Sequence, residues 1–221
     1  MTDALLVLCA ANVCRSPLME YVLTEPSSST AAYPSWSTTS RGTESTRSRH
    51  LCAVVTEMVG KTEYGQSFAE EHQPTLLDPD SLASHDMIIT ASKQERATVA
   101  RLHPELRSRT FTLKEAVRLG RAQLTDVDLR RAVAVAPEAS GLALYAAALH
   151  ERRGMVKFDA ARTSRLPWIK PVDPLDIPDL HDGKRRAHQR ALDDTEAAAR
   201  ELRTQILRFL RGPGVALRRP H

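Results

Sequence analysis

Cys9, Arg15 and Ser16 stand within the octet Cys9-Ala10-Ala11-Asn12-Val13-Cys14-Arg15-Ser16, and these residue types at this spacing suit chemistry on an oxyanion. A thiolate is a nucleophile. A guanidinium grips two phosphate oxygens at once, and a nearby hydroxyl favours the charged sulfur. A Cys and an Arg with five residues between them carry little weight in a chain with 25 arginines. The flanks carry more. Ala4-Leu5-Leu6-Val7-Leu8 reads as a fully buried strand, and Ser16-Pro17 reads as the N-cap and first position of a helix. A strand feeding a tight loop that opens a helix aims backbone N–H groups and the positive end of a helix dipole at one spot. An oxyanion belongs there, with Cys9 on the rim.

The elements that must position this loop follow from the periodicity. The first helix is expected over about Pro17–Leu23, ended by Glu25-Pro26 and a run of small polar residues. A second strand is expected at Trp36–Thr39, with a turn at Ser40–Thr43. Thr46–Val59 reads as one helix, which would carry Cys52 as a small buried hydrophobe, and Gly60–Gln73 is ambiguous. Asp86–Ala91 is a buried strand. Ser92-Lys93-Gln94-Glu95 is a capping box that opens a helix to about Leu102. Arg109–Leu113 is a fourth strand and Lys114–Leu119 a helix. This alternation predicts a three-layer α/β/α fold with a four-stranded parallel sheet. In such sheets ligands sit beyond the carboxyl ends of the strands, which is where the Cys9 loop lies.

The pattern changes from about 120 to 170. Leu124–Val135 and Glu138–His150 read as helices, and this mainly helical insertion is expected to pack on a single domain, near the site's rim. Arg162, Arg165 and Trp168 read as solvated surface. Pro171–Gly183 is a rigid acidic loop that prolines keep from becoming a helix. A last helix is expected over Arg185–Leu210, with a frayed tail from about 212 to 221.

Composition narrows the function classes. A net charge of +4 comes from 25 arginines and 6 lysines scattered among acids, with no basic stripe, so nucleic acid is not an expected partner. Three cysteines without regular spacing do not make a disulfide scaffold and suit a reducing compartment. No apolar run reaches membrane-spanning length, so the reading is a cytoplasmic protein without a membrane partner. The histidines, including His85 and His103, lack ligand spacing, so neither a metal nor another cofactor is expected.

The motif C-x-x-N-x-C-R-S-P at Cys9–Pro17 resembles the phosphate loop of low-molecular-weight protein tyrosine phosphatases. Ser40-Arg41-Gly42-Thr43 resembles that family's turn after strand two. Asp86–Thr90 and Leu102–Glu115 resemble its third and fourth strands with the intervening helix. Ile177-Pro178-Asp179 resembles its general-acid loop. The resemblance implies a catalytic trio: Cys9 as nucleophile through a phosphocysteine, Arg15 as phosphate ligand, and Asp179 as acid and then base. It implies that the loop residues Ala10, Ala11, Asn12, Val13, Cys14 and Ser16 bind substrate, that Ser16 stabilises the thiolate, and that Asn12 and Ser40 brace the loop. His181 would line the rim. Cys14 would be the second loop cysteine, able to form a reversible disulfide with Cys9. The implied partners are a phosphotyrosine protein or a small aryl phosphate, with inorganic phosphate as product.

This chain departs from the family pattern at Ala11, where Gly is usual, and at Leu180-His181, where Pro and an aromatic are usual. If position 11 needs a left-handed φ, Ala strains the loop. Val13 favours an aromatic substrate, since phosphoarginine-selective relatives of this loop place Thr there. Two other readings stay open: an arsenate reductase using an external thiol, and a phosphate-loop pseudoenzyme that binds phosphoproteins.

Overall fold

In the computed structural model, residues 3–26, 35–44, 48, 50–139, 141–156 and 173–212 are described. Four parallel strands, β1 (Asp3–Cys9), β2 (Trp36–Gly42), β3 (Met87–Thr90) and β4 (Thr110–Thr112), form one sheet in the order β2-β1-β3-β4. β1 is central because both its faces are apolar: Leu5 to Leu8 are essentially inaccessible to solvent.

Strand geometry sends alternate residues to opposite faces. Leu5, Val7 and Cys9 join Met87, Ile89 and Phe111 in the larger core. That core is covered by α1 (Arg15–Thr24), α5 (Leu113–Gly120), α7 (Gly141–Glu151) and α8 (Arg185–Arg211). Leu6, Leu8 and Ile88 face the smaller core with Leu82, Val99 and Leu106, under α4 (Lys93–Leu102) and two turns of 3-10 helix. The expected three-layer architecture is the one observed.

Several boundaries differ from the sequence reading, each for a local reason. Helix α1 begins at Arg15 with Cys14 in the cap position, and no side chain caps it. The Ser16 hydroxyl is used elsewhere, on the sulfur of Cys9. Strand β2 continues through Ser40, Arg41 and Gly42, because Val7, Leu8 and Cys9 pair with those residues; they are a strand end rather than a turn. The helix expected over Thr46–Val59 is helical only as α2 (Ala53–Val59), with residues 45–47 and 49 outside the described set. Cys52 precedes α2 in extended backbone, and its N–H donates to the Val13 carbonyl of the loop (3.1 Å). The ambiguous stretch holds α3 (Glu63–Glu71), whose Tyr64 and Phe68 pack on Tyr21.

The insertion contains α6 (Asp126–Val135) and α7. Helix α7 does not sit at the rim. Leu142, Tyr145, Ala146 and Leu149 are buried in the larger core, so the helix is part of the layer that covers the sheet. Arg162, Arg165, Trp168 and the tail from 213 lie outside the described residues. Among the described residues no helix is long and apolar enough to cross a membrane.

Candidate active site

The loop between β1 and α1 is held from behind by one hydrogen-bonded chain. Asn12 is fully buried and has φ +56, making it the non-glycine residue with left-handed backbone among those described. Ala11 is not in that region, so the strain expected at Ala11 falls one residue later. Asn is the residue type that bears it best, because its short amide can bond locally. The Asn12 amide nitrogen donates to Ser16 Oγ (3.0 Å) and Ser40 Oγ (2.7 Å), while its Oδ1 accepts from the Thr75 N–H (2.9 Å). Ser16 Oγ donates to Cys9 Sγ at 3.0 Å. With Asn12 occupying a lone pair of Ser16, the hydroxyl proton is left for the sulfur. Ser40 Oγ in turn donates to Glu20 Oε2 (2.5 Å). Burial pushes the Glu20 carboxyl above its ordinary value, against the pull of Ser40 and Arg41.

Three residues that sequence reasoning did not single out complete this support. His72 Nε2 donates to the Asn12 carbonyl (3.0 Å), and burial holds the imidazole below its usual pKa. Thr75 supplies the backbone donor already named. Gly42 lies flat against the loop: a Cβ there would stand 2.7 Å from the Ala10 carbonyl oxygen and 3.1 Å from the Asn12 nitrogen. Only the glycine in Ser40–Thr43 hinted at this.

Arg15 is buried beneath the mouth of the loop. Its Nη1 donates to the Ile177 carbonyl (3.0 Å), its Nη2 donates to Asp179 Oδ2, and Glu95 Oε1 is 3.8 Å away. The acidic loop is fastened to the sheet edge: the Ile177 N–H donates to the Ala91 carbonyl (2.9 Å), and Asp176 Oδ1 accepts from the Lys93 N–H (2.8 Å) at the start of α4. Asp179 itself is exposed at the end of this anchored segment. Two distant parts of the chain, the loop with Cys9 and Arg15 and the segment with Asp179, therefore meet through the Arg15–Asp179 contact. An open cleft of about 520 Å³ lies over Ala10 and Arg15, walled by Glu44, Glu95, Asp173, Asp176 and Asp179.

These features together, a central strand ending in a thiol, a braced loop at a helix start, and a distant acid on its arginine, can be set beside solved structures. A low molecular weight protein tyrosine phosphatase from T. tengcongensis superposes with a TM-score of 0.55, at 16% identity, over 90% of this chain and 97% of that one. The tyrosine phosphatase AmsI of Erwinia amylovora gives 0.54 at 20% identity over 91% of each chain. The YwlE arginine phosphatase of Geobacillus stearothermophilus gives 0.55 at 15% identity over 99% of each. The chain has the fold of the low molecular weight protein tyrosine phosphatases. No protein-family model matches it, and no curated protein matches it in sequence.

Within this phosphatase fold, several expected site residues sit differently from the reading: Cys9, expected on the rim, is only 2% exposed, and of the loop residues Ala10 and Arg15 alone line the cleft. The Val13 side chain is buried in the larger core and does not line the cleft, so its expected part in substrate choice has no contact behind it. His181, expected at the substrate rim, turns its Nδ1 to within 3.2 Å of Cys14 Sγ. Cys52 Sγ is 3.5 Å from His188 Nε2, so the small buried hydrophobe of the sequence reading has a polar partner. The two sulfurs also lie within 4.8 Å of each other. That contact pushes Cys14 up and, with help from His188, pulls Cys52 down. No local spacing announces this group, whose members are spread along most of the chain.

Proposed function

We propose that this protein is a cysteine-dependent phosphoric monoester hydrolase acting on phosphotyrosine in proteins or on small aryl phosphates. The observation that carries this reading is the Ser16-to-Cys9 hydrogen bond at 3.0 Å beside an arginine that also touches Asp179. On this reading a nucleophile and its activating donor lie behind an anion ligand and an acid–base group that line the mouth.

In the proposed cycle, Cys9 Sγ attacks phosphorus while Arg15 and the loop N–H groups hold the non-bridging oxygens. The ester P–O bond breaks as the S–P bond forms, and Asp179 gives its proton to the leaving oxygen. Asp179, now a carboxylate, takes a proton from water as that water attacks the phosphocysteine. The S–P bond breaks, releasing inorganic phosphate and the Cys9 thiolate. The contact between Arg15 and Asp179 is that of the carboxylate used in the second step, and the phosphate takes over that donor when it binds. The Ser40–Asn12–Ser16 chain keeps the sulfur and the donor hydroxyl in place throughout.

A second substrate class, phosphoarginine, has one observation in its favour: the five carboxylates that wall the cleft suit a cationic leaving group. Kinetics on phosphotyrosine, phosphoarginine and phosphoserine peptides decide between them. Cys9→Ser should abolish turnover while phosphate still binds, and Asp179→Asn should slow an alkyl or peptide ester by about 10²–10⁴-fold. Undiminished hydrolysis by Cys9→Ser refutes the mechanism. Arsenate-dependent oxidation of an external thiol would instead identify a reductase. Tight phosphopeptide binding without turnover would identify a pseudoenzyme.

A further inference from the structure

Beside the loop, and unused by the proposed cycle, two thiols and two imidazoles converge. Cys14 is at the N-cap position of α1, Cys52 precedes α2, His188 lies near the start of α8, and His181 stands on the acid loop. Cys14, Cys52 and His188 are buried and His181 is exposed. One ligand atom from each lies within 4.8 Å of all the others. Two of these separations are 3.2 Å, between Cys14 Sγ and His181 Nδ1, and 3.5 Å, between Cys52 Sγ and His188 Nε2. The two rings meet edge to face, 5.7 Å apart at 82°.

A tetrahedral centre with metal–sulfur bonds of about 2.3 Å and metal–nitrogen bonds of about 2.0–2.1 Å has edges of roughly 3.3–3.8 Å between its ligand atoms. The separations of 3.2 and 3.5 Å are already near that size, and no pair needs to contract by more than about 1.5 Å. The ligand set is selective. Two sulfurs and two imidazole nitrogens suit zinc or a similar borderline-soft cation and disfavour magnesium or calcium, which take oxygen ligands.

We propose that Cys14, Cys52, His181 and His188 form a tetrahedral binding site for a zinc-class divalent cation. The loaded centre has two thiolates and two neutral imidazoles, and binding releases the protons that these four groups still carry. The loaded centre is electrically neutral, which suits its burial. No electron is transferred. The site ties together the phosphate loop, the approach to α2, the acid loop and α8. The His181 N–H also donates to Asp179 Oδ1 (3.2 Å), so the centre holds the segment that carries Asp179. It is separate from Cys9, whose sulfur is bonded to Ser16.

The test uses the full chain, reduced, stripped with a chelator and titrated with cobalt(II). The expected result is one equivalent bound, with the intense visible bands of a tetrahedral centre and a thiolate-to-cobalt charge-transfer band, all erased by one equivalent of zinc. Zinc at about 100 times its Kd should raise Tm by about 5–10 °C. Cys52→Ser and His188→Gln should each weaken binding by about 100-fold or more, with folding followed by circular dichroism. Cys9→Ser should bind as the parent does. Weak octahedral cobalt bands in the parent overturn the proposal, and that spectrum decides even if a variant fails to fold. So does binding lost in Cys9→Ser but kept in Cys52→Ser, which would place the metal on the nucleophile. A Cys14–Cys52 disulfide found by mass spectrometry in the freshly purified protein overturns it too.

Discussion

Replacing Asn12 separates backbone strain from hydrogen bonding at the centre of the loop. Asn12→Ala removes three side-chain hydrogen bonds, to Ser16, Ser40 and Thr75. At about 0.5–1.5 kcal/mol each, their loss costs about 1.5–4.5 kcal/mol. Ala must also hold the φ of +56, where a Cβ residue without a local amide contact pays about 1 kcal/mol more. The sum is about 2.5–5.5 kcal/mol. Asn12→Gly loses the same bonds but takes the left-handed backbone freely, so it should be the more stable of the two by about 1 kcal/mol. Activity should fall together in both. Without the amide donor, the Ser16 hydroxyl can turn from Cys9 toward the Arg41 carbonyl, now 3.4 Å away. Urea unfolding at fixed m gives the stabilities, and kcat/KM on an aryl phosphate gives the activities. If Asn12→Ala proves as stable as Asn12→Gly, φ is not where the strain lies. If either keeps full activity, the Asn12–Ser16–Cys9 chain does not orient the sulfur.

Gly42→Ala would press a methyl group onto the loop backbone, 2.7 Å from the Ala10 oxygen. It should cost about 1–3 kcal/mol through overpacking and lower kcat/KM by about 100-fold through loop displacement, with the secondary structure seen by circular dichroism unchanged. Asp128 accepts from Arg152 (2.7 Å) and from the Thr125 N–H and hydroxyl (2.8 and 2.7 Å), and its pKa is lowered to about 2, chiefly by the bond to Arg152. A depressed carboxyl stabilises the fold above its unfolded value of about 3.8 and loses that contribution as pH falls through about 2. The amount is about 2 kcal/mol. Acid unfolding of Asp128→Asn should therefore start from a lower stability at neutral pH and slope less between pH 4 and 2. Arg152→Ala should destabilise by about 3 kcal/mol or more, read as a fall in Cm. It strands the Asp128 charge and the carbonyls of Leu119, Ala122 and Gln123, to which Arg152 also donates.

What was legible in the sequence is what local pattern determines. The buried strand, the loop and the helix around Cys9–Pro17 are contiguous, and the capping box at Ser92–Glu95 forms as written. The Ile177-Pro178-Asp179 match located an acid far along the chain, and that acid does meet Arg15. The misreadings share a physical cause: a side chain with two possible uses took the tertiary one. Ser16 was a plausible N-cap, but Cys9 claims its proton. Ser40–Gly42 had turn composition, but pairing with β1 extends it. Cys52 matched a helical periodicity, but its N–H is needed by the Val13 carbonyl. The Cys–His cluster was illegible because its four members lie on four separate segments, and no periodicity links them.

The bracing of the loop also explains why so little of it is in the loop. Between Cys9 and Arg15 the side chains are mostly small or apolar, and only Asn12 makes several polar bonds. The rest of the hold comes from outside: the Ser40 hydroxyl from β2, the flat face of Gly42, His72 after α3, Thr75, and the Cys52 N–H. A loop meant to point its own N–H groups at an anion cannot use them on itself, so its rigidity has to be supplied through its carbonyls and one inward side chain. Thr43 and Glu44 donate to the carbonyls of Cys9 and Ala10, Cys52 to that of Val13, and His72 to that of Asn12. The carbonyls are thus tied into the fold, as an anion-binding role for the N–H groups requires. The register of β2 against β1 is therefore a requirement of the site. A slip by one residue would exchange Gly42 for a side chain at the one position where the loop leaves no room for it.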